Sequence, residues 1–140
     1  MKFELPTEDH LDYVSVDAGT YVCQIEEVRE GTTRNGDPRW AIRLAVCEGE
    51  FTGRHAAWDG LVFSTRGRTR VRRALGAFGL PNQGTIDLAP KDLEGRRALV
   101  EIRPAEFENA EGQVVRRNEV PYDGYRALPE AGTADGEVPF

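Results

Sequence analysis

The chain has 140 residues, 18 basic and 24 acidic side chains and a formal charge of −6. That length holds one hydrophobic core rather than two, and an apolar fraction of 39% with six Phe, four Tyr and two Trp excludes general disorder. No apolar stretch approaches the roughly 18–20 residues of a membrane span, and Met1–His10 is acidic with no basic-then-apolar pattern, so no membrane segment or secretory signal is expected and the expected location is the cytoplasm.

In chain order, Thr20–Arg29 alternates Tyr21, Cys23 and Ile25 with polar neighbours and predicts a strand. Asn35-Gly36 follows as a hairpin signal, because such turn positions favour positive φ. Pro38–Cys47 is the clearest strand. Trp40, Ile42, Leu44 and Val46 fall on one face, which assigns Trp40 to the core, and Arg39, Ala41, Arg43, Ala45 and Cys47 fall on the other. Arg54–Phe63 reads as a third strand with Gly60 as a candidate bulge. Ser64–Gly79 then changes period: Val71, Ala74, Leu75 and Phe78 recur at helical spacing, with Ser64 or Thr65 as cap and Gly79 and Pro81 as stop. Residues 82–95 read as a connection, Ala98–Arg103 as a fourth strand, 108–113 as a hairpin turn, and Val114–Tyr122 as a fifth strand that Pro121 ends or places at an edge.

Three strands, a helix and two strands is the element order of an OB-fold, a five-stranded Greek-key barrel with one helix between strands three and four. The expected organisation is an acidic N-terminal arm (1–17), this mainly β domain (18–126) and a flexible acidic C-terminal tail (127–140). Charge follows the same division: residues 1–17 carry −4 and 128–140 carry −3, which leaves the body near neutral. Within the body, Ser64–Ile86 holds five arginines and no acid.

A catalytic site is not expected. The chain has two histidines, His10 and His55, with no nucleophile motif near either, and no glycine-rich phosphate loop. Cys23 and Cys47 are too few for a zinc site or a disulfide framework and read as reduced, buried thiols, so no metal and no cofactor are expected. The positive signal is arginine. Arg66, Arg68, Arg70, Arg72 and Arg73 fall within eight residues, Arg34 lies in the first hairpin, Arg39 and Arg43 in the second strand, and Arg116 and Arg117 in the fifth. Guanidinium binds phosphate oxygens in a fork and stacks on bases, and single-strand binders combine such a groove with aromatic platforms. The candidate interface is therefore Arg34, Arg39, Arg43, Arg66, Arg68, Arg70, Arg72 and Arg116 on phosphates, with Trp58, Phe63 and Tyr122 on bases and Tyr125 as a further platform.

The chain's last residues, Glu137-Val138-Pro139-Phe140 after an acidic stretch, resemble the C-terminal tip of bacterial single-stranded-DNA-binding proteins. That resemblance implies that Glu137, Val138, Pro139 and Phe140 recruit replication, recombination or repair proteins. Ala18-Gly19-Thr20-Tyr21, Thr33-Arg34-Asn35-Gly36 before Trp40, Asp92-Leu93-Glu94-Gly95-Arg96, and Asn118-Glu119-Val120 before Tyr122 are similar to a family of phage-encoded proteins. That family was long catalogued as of unknown function and is now mostly described as OB-fold single-stranded-DNA-binding proteins. The expectation is sequence-tolerant binding of single-stranded DNA, with no membrane partner; a homo-oligomer is left open. Two rivals remain. An OB-like protein–protein adaptor without nucleic-acid affinity would scatter its arginines around the surface, and an enzyme of nucleic-acid metabolism would bring carboxylates together in a cleft.

Overall fold

The computed structural model describes residues 10–129, and in it the alternating apolar positions become the inner face of one sheet. Its strands are β1 (His10–Asp12), β2 (Gly19–Thr32), β3 (Pro38–Val46), β4 (His55–Val62), β5 (Arg97–Glu108), β6 (Val114–Glu119) and β7 (Tyr125–Arg126). Two helices, α1 (Arg68–Ala77) and α2 (Pro90–Leu93), lie between β4 and β5. Antiparallel ladders run in the order β6-β5-β2-β3-β4, β1 adds in parallel to the outer side of β6, and β7 pairs with β5. The fold is mainly β, an open antiparallel sheet with few helices. No helix among the described residues is long and apolar enough to cross a membrane.

The inner face is the one that the alternation marks. Trp40, Ile42, Leu44 and Val46 of β3 are buried with Cys23 and Ile25 of β2, Val100 and Ile102 of β5, and Leu61 of β4. Burial of each such aliphatic side chain contributes about 1.5–3 kcal/mol. Burial also pushes the Cys23 thiol up to about 12, so it stays protonated. Cys47 is half-buried, and both cysteines are free.

The hairpin loops between β2 and β3 and between β5 and β6 are built alike. In each, a five-residue loop begins with a residue whose N–H and side-chain oxygen bond the loop's last residue: Thr33 with Asp37, and Asn109 with Gln113. The glycine one place before that last residue donates to the first residue's carbonyl and holds a left-handed φ, 89° at Gly36 and 79° at Gly112. The Asn-Gly signal is thus realised in a longer loop than a two-residue turn, closed by Thr33.

Bulges fall elsewhere than at Gly60, which pairs regularly with Ala41. The register of β3 and β4 shifts between Leu44 and Ala45, where Ala56 is the extra residue, and that of β2 and β3 shifts at Glu26. The Arg39 guanidinium lies across Gly60, in the space a Cβ there would take. β5 is longer than its apolar pattern suggests. Its first half pairs with β2 and its second half, 103–108, with β6. Beyond Glu119, β6 loops out through Pro121, and β7 resumes the pairing with β5.

α1 buries Val71, Ala74 and Leu75, with Phe78 just beyond its end. Ser64 does not cap it; its hydroxyl accepts the Gly67 N–H and forms the preceding turn. The helix stop is as the sequence suggests. Gly79 has a φ of 78°, its N–H bonds Gly76, and the Leu80 N–H bonds Leu75, which satisfies two of the last carbonyls.

Residues 10–17, assigned from the sequence to an acidic arm, are tied to the sheet. β1 pairs with β6, Val16 is buried, and the Asn118 side chain donates to the Val16 carbonyl at 3.2 Å. The apolar residue within the acidic stretch supplies the anchor. The C-terminal tail from residue 130 onward lies outside the described residues.

Candidate functional site

The outer face of β3 and β4 carries the alternate set of residues: Arg39, Ala41 and Arg43 on one strand, opposite Val62, Gly60 and Trp58 on the other. Ala41 and Gly60, paired at its centre, make a shallow floor across which the Arg39 guanidinium lies. Trp58 stands up from this floor with 37% of its surface exposed, and the Arg29 guanidinium of β2 lies 4.7 Å over its ring. Arg29 also bonds Glu27 at 2.7 Å, yet its own side chain is two-thirds exposed. An exposed cation–π contact is worth about 0.5–1 kcal/mol, whereas a base stacked on an aromatic side chain is worth about 1–3 kcal/mol.

Arg43, opposite Trp58, donates through Nε to His55 Nδ1 at 3.4 Å and pairs with Glu26 at 3.8 Å. Burial first, and the Arg43 charge second, push the His55 pKa below its ordinary value. His55 is thus neutral near pH 7, with Nδ1 as acceptor and the proton on Nε2. Across an unladdered seam from β4 stands β6. Its Arg117 lies 4.6 Å over the exposed Phe107 ring, and its Asn118 is buried beside it. Arg29, Arg39, Trp58, His55, Arg117 and Asn118 line one cleft of about 580 Å³, with the exposed Tyr13 at its margin.

A second basic region lies at the start of α1. Arg68 and Arg72, one turn apart, line a cleft of about 1000 Å³ bounded by the loop 82–86, Asp37 of the first hairpin and Phe63. Phe63 is half-buried and packs edge-on against Trp40 at 5.0 Å, so it is a core-edge residue that forms the cleft wall. Arg66 is exposed in the turn before the helix, and Arg34 is exposed on the hairpin tip. Among the described residues none of Arg34, Arg39, Arg66, Arg68, Arg72 and Arg117 has a carboxylate partner.

The other expected residues are placed differently. Arg70 points inward. It pairs with Asp59 at 2.9 Å, donates to the carbonyls of Gly60 and Val120, and lies over the Tyr125 ring. Tyr125 is core, not a platform: its hydroxyl donates to Asp59 at 2.5 Å, and burial, then Asp59, raise its pKa well above the ordinary value. Arg73 pairs with Asp123, and Arg116 pairs with Asp12 at 3.2 Å on the β1–β6 edge. Tyr122 is exposed, in the loop after β6 and next to Asp123. The partner-binding set Glu137, Val138, Pro139 and Phe140 lies outside the described residues.

No model of a known family matches the chain, and no curated protein matches it.

The structure therefore gathers Arg39 and Trp58 into one cleft, with Arg43 paired opposite Trp58 beside it, sets Arg68, Arg72 and Phe63 at another, leaves Arg66 exposed in the turn before the helix, and removes Arg70 to the interior. Arg29, Tyr13 and Asn118 join the first cleft without having been expected there. The alternation of Tyr21, Cys23 and Ile25 would carry Arg29 to the inner face; the bulge at Glu26 turns it outward to Trp58, and no local pattern shows that.

Proposed function

We propose that the chain is an OB-fold protein that binds single-stranded DNA along the outer face of β3 and β4. The strand order β4-β3-β2-β5-β6, the helix between β4 and β5, and the two matched hairpins support an OB-type barrel. In such barrels the face of the second and third strands and the two flanking hairpin loops hold oligonucleotides. Here those are β3 and β4, with the loops 33–37 and 109–113.

The observation that carries the reading is Trp58, half-exposed on that face beneath Arg29 and flanked by Arg39, Arg43 and Arg117. A flat ring among guanidinium groups serves a ligand with both a π-face and a regular negative charge. The convergence of Arg29, Arg39 and Arg117 on one cleft favours this over an adaptor, which calls for scattered arginines. The strand extends past Arg39 and the first hairpin to Arg68 and Arg72, and the tip at 137–140 recruits partner proteins during replication, recombination or repair.

The test is fluorescence anisotropy of a labelled mixed-sequence oligonucleotide at several salt concentrations, beside the matching duplex. The expected result is binding that prefers the single strand and whose logarithmic salt slope is about 0.7 per phosphate contact. No binding at low salt defeats the proposal and leaves the adaptor reading in front.

A further inference from the structure

Asn118 sits on β6 at the seam with β4, 5% exposed and the only buried polar residue among those described. Its Nδ2 donates to the Val16 carbonyl at 3.2 Å. That bond fixes the amide's orientation, since a flip would set two carbonyl oxygens against each other. Its Oδ1 is buried and accepts nothing from the described protein groups. A buried carbonyl left without a donor costs about 1–3 kcal/mol. The residue lines the same cleft as Trp58, Arg39 and Arg117. β4 and β6 share no backbone ladder at this seam, and the Arg70 guanidinium spans it by donating to the Gly60 and Val120 carbonyls.

We infer that Asn118 Oδ1 is a base-reading acceptor: it takes the exocyclic amino group of the base stacked on Trp58 and gives the cleft a preference for cytosine and adenine over thymine. This rests on the proposed single-strand binding. The selectivity follows from shape. An exocyclic amine projects beyond its ring and reaches a recessed oxygen. The only donor on thymine, N3–H, lies between two carbonyl oxygens that would crowd Oδ1. With Nδ2 committed to Val16, the amide has no donor to offer those carbonyls. The outcome is a binder that is tolerant along the backbone and selective at one position.

The experiment compares three labelled oligonucleotides of equal length on the full chain: dC, dT, and dC in which both amino hydrogens are replaced by methyl groups. The dC strand is expected to bind about five- to tenfold more tightly than dT, as one recovered buried hydrogen bond implies. Dimethylation is expected to abolish that advantage with the salt slope unchanged. Asn118→Leu should remove the difference between dC and dT, with its fold checked by circular dichroism. If that variant does not fold, the methylated strand alone decides. Equal binding of all three strands overturns the inference but leaves single-strand binding standing, whereas no binding of any strand overturns both.

Discussion

The two arginine-rich regions of this protein reverse what their sequences suggest. Residues 66–73 hold five arginines, yet helical geometry sends them in different directions. Arg70 goes inward against Asp59, Arg73 to Asp123, and Arg68 and Arg72 to an open cleft, while Arg66 stays exposed in the turn before the helix. The arginines of the sheet are spread from 29 to 117 along the chain, and strand pairing brings Arg29, Arg39 and Arg117 to one cleft around Trp58. Density along a helix disperses over roughly 100° per residue, whereas alternate positions on neighbouring strands stack on one face. Charge crowded in sequence is thus a poor guide to charge crowded in space.

The largest effect that sharpens this contrast is on stability. Arg70→Met leaves the half-buried Asp59 without its cation and strips a donor from the Gly60 and Val120 carbonyls. It is expected to cost about 3–5 kcal/mol in a urea unfolding titration. Arg68→Met, two residues away on the open side, is expected to stay within about 0.5 kcal/mol. Equal costs would mean that the inner and outer arginines are not different in kind.

How far the sequence foretold this can be argued from the same residues. Period-two alternation placed Trp40, Ile42, Leu44 and Val46 inside, and period 3.6 placed Val71, Ala74 and Leu75 inside, because hydrophobic burial acts on each side chain locally. Arg70 escaped that logic. A helix wheel puts it at the flank of the apolar stripe, and the half-buried Asp59, eleven residues earlier on another element, draws it inward together with the Gly60 and Val120 carbonyls. β1 and β7 were missed because three- and two-residue strands have too few positions to show a period. The bond from Asn118 to Val16 links points 102 residues apart, which no local pattern encodes.

On binding, Trp58→Ala is expected to weaken single-strand affinity about 5- to 150-fold, the worth of one stacked base, with little loss of stability. Phe63→Ala should do the opposite, because its ring packs on Trp40. A Phe63 variant that stays fully stable and loses affinity would move the platform to the helix side. Electrostatics divide the regions more finely. Arg39→Gln or Arg43→Gln should each lower the salt slope by about 0.7 on an oligonucleotide of any length. The double variant Arg68→Gln/Arg72→Gln should leave the slope for about 4–6 nucleotides unchanged and lower it for about 16, the range of strand lengths that one such barrel holds. Equal slopes for both lengths would confine the strand to the sheet.

The smallest effect concerns pH and isolates the sheet cleft, since His55 belongs to it and the helix cleft has no histidine. In the folded chain His55 is held neutral by burial and by the Arg43 guanidinium facing Nδ1, with Glu26 opposing them weakly. Its folded pKa lies below the 6.5 of a free imidazole. Below about that pH the unfolded chain takes up a proton that the folded chain refuses, so the unfolded state gains and stability falls as pH drops. Above it both states are neutral and the residue contributes no slope. Urea midpoints measured from pH 7.5 down to 5, before most carboxylates titrate, should therefore decline for the natural chain and decline less for His55→Gln. A parallel decline in both would show that the imidazole accepts its proton freely and that Arg43 is not held against it, leaving that guanidinium as mobile as those on the helix.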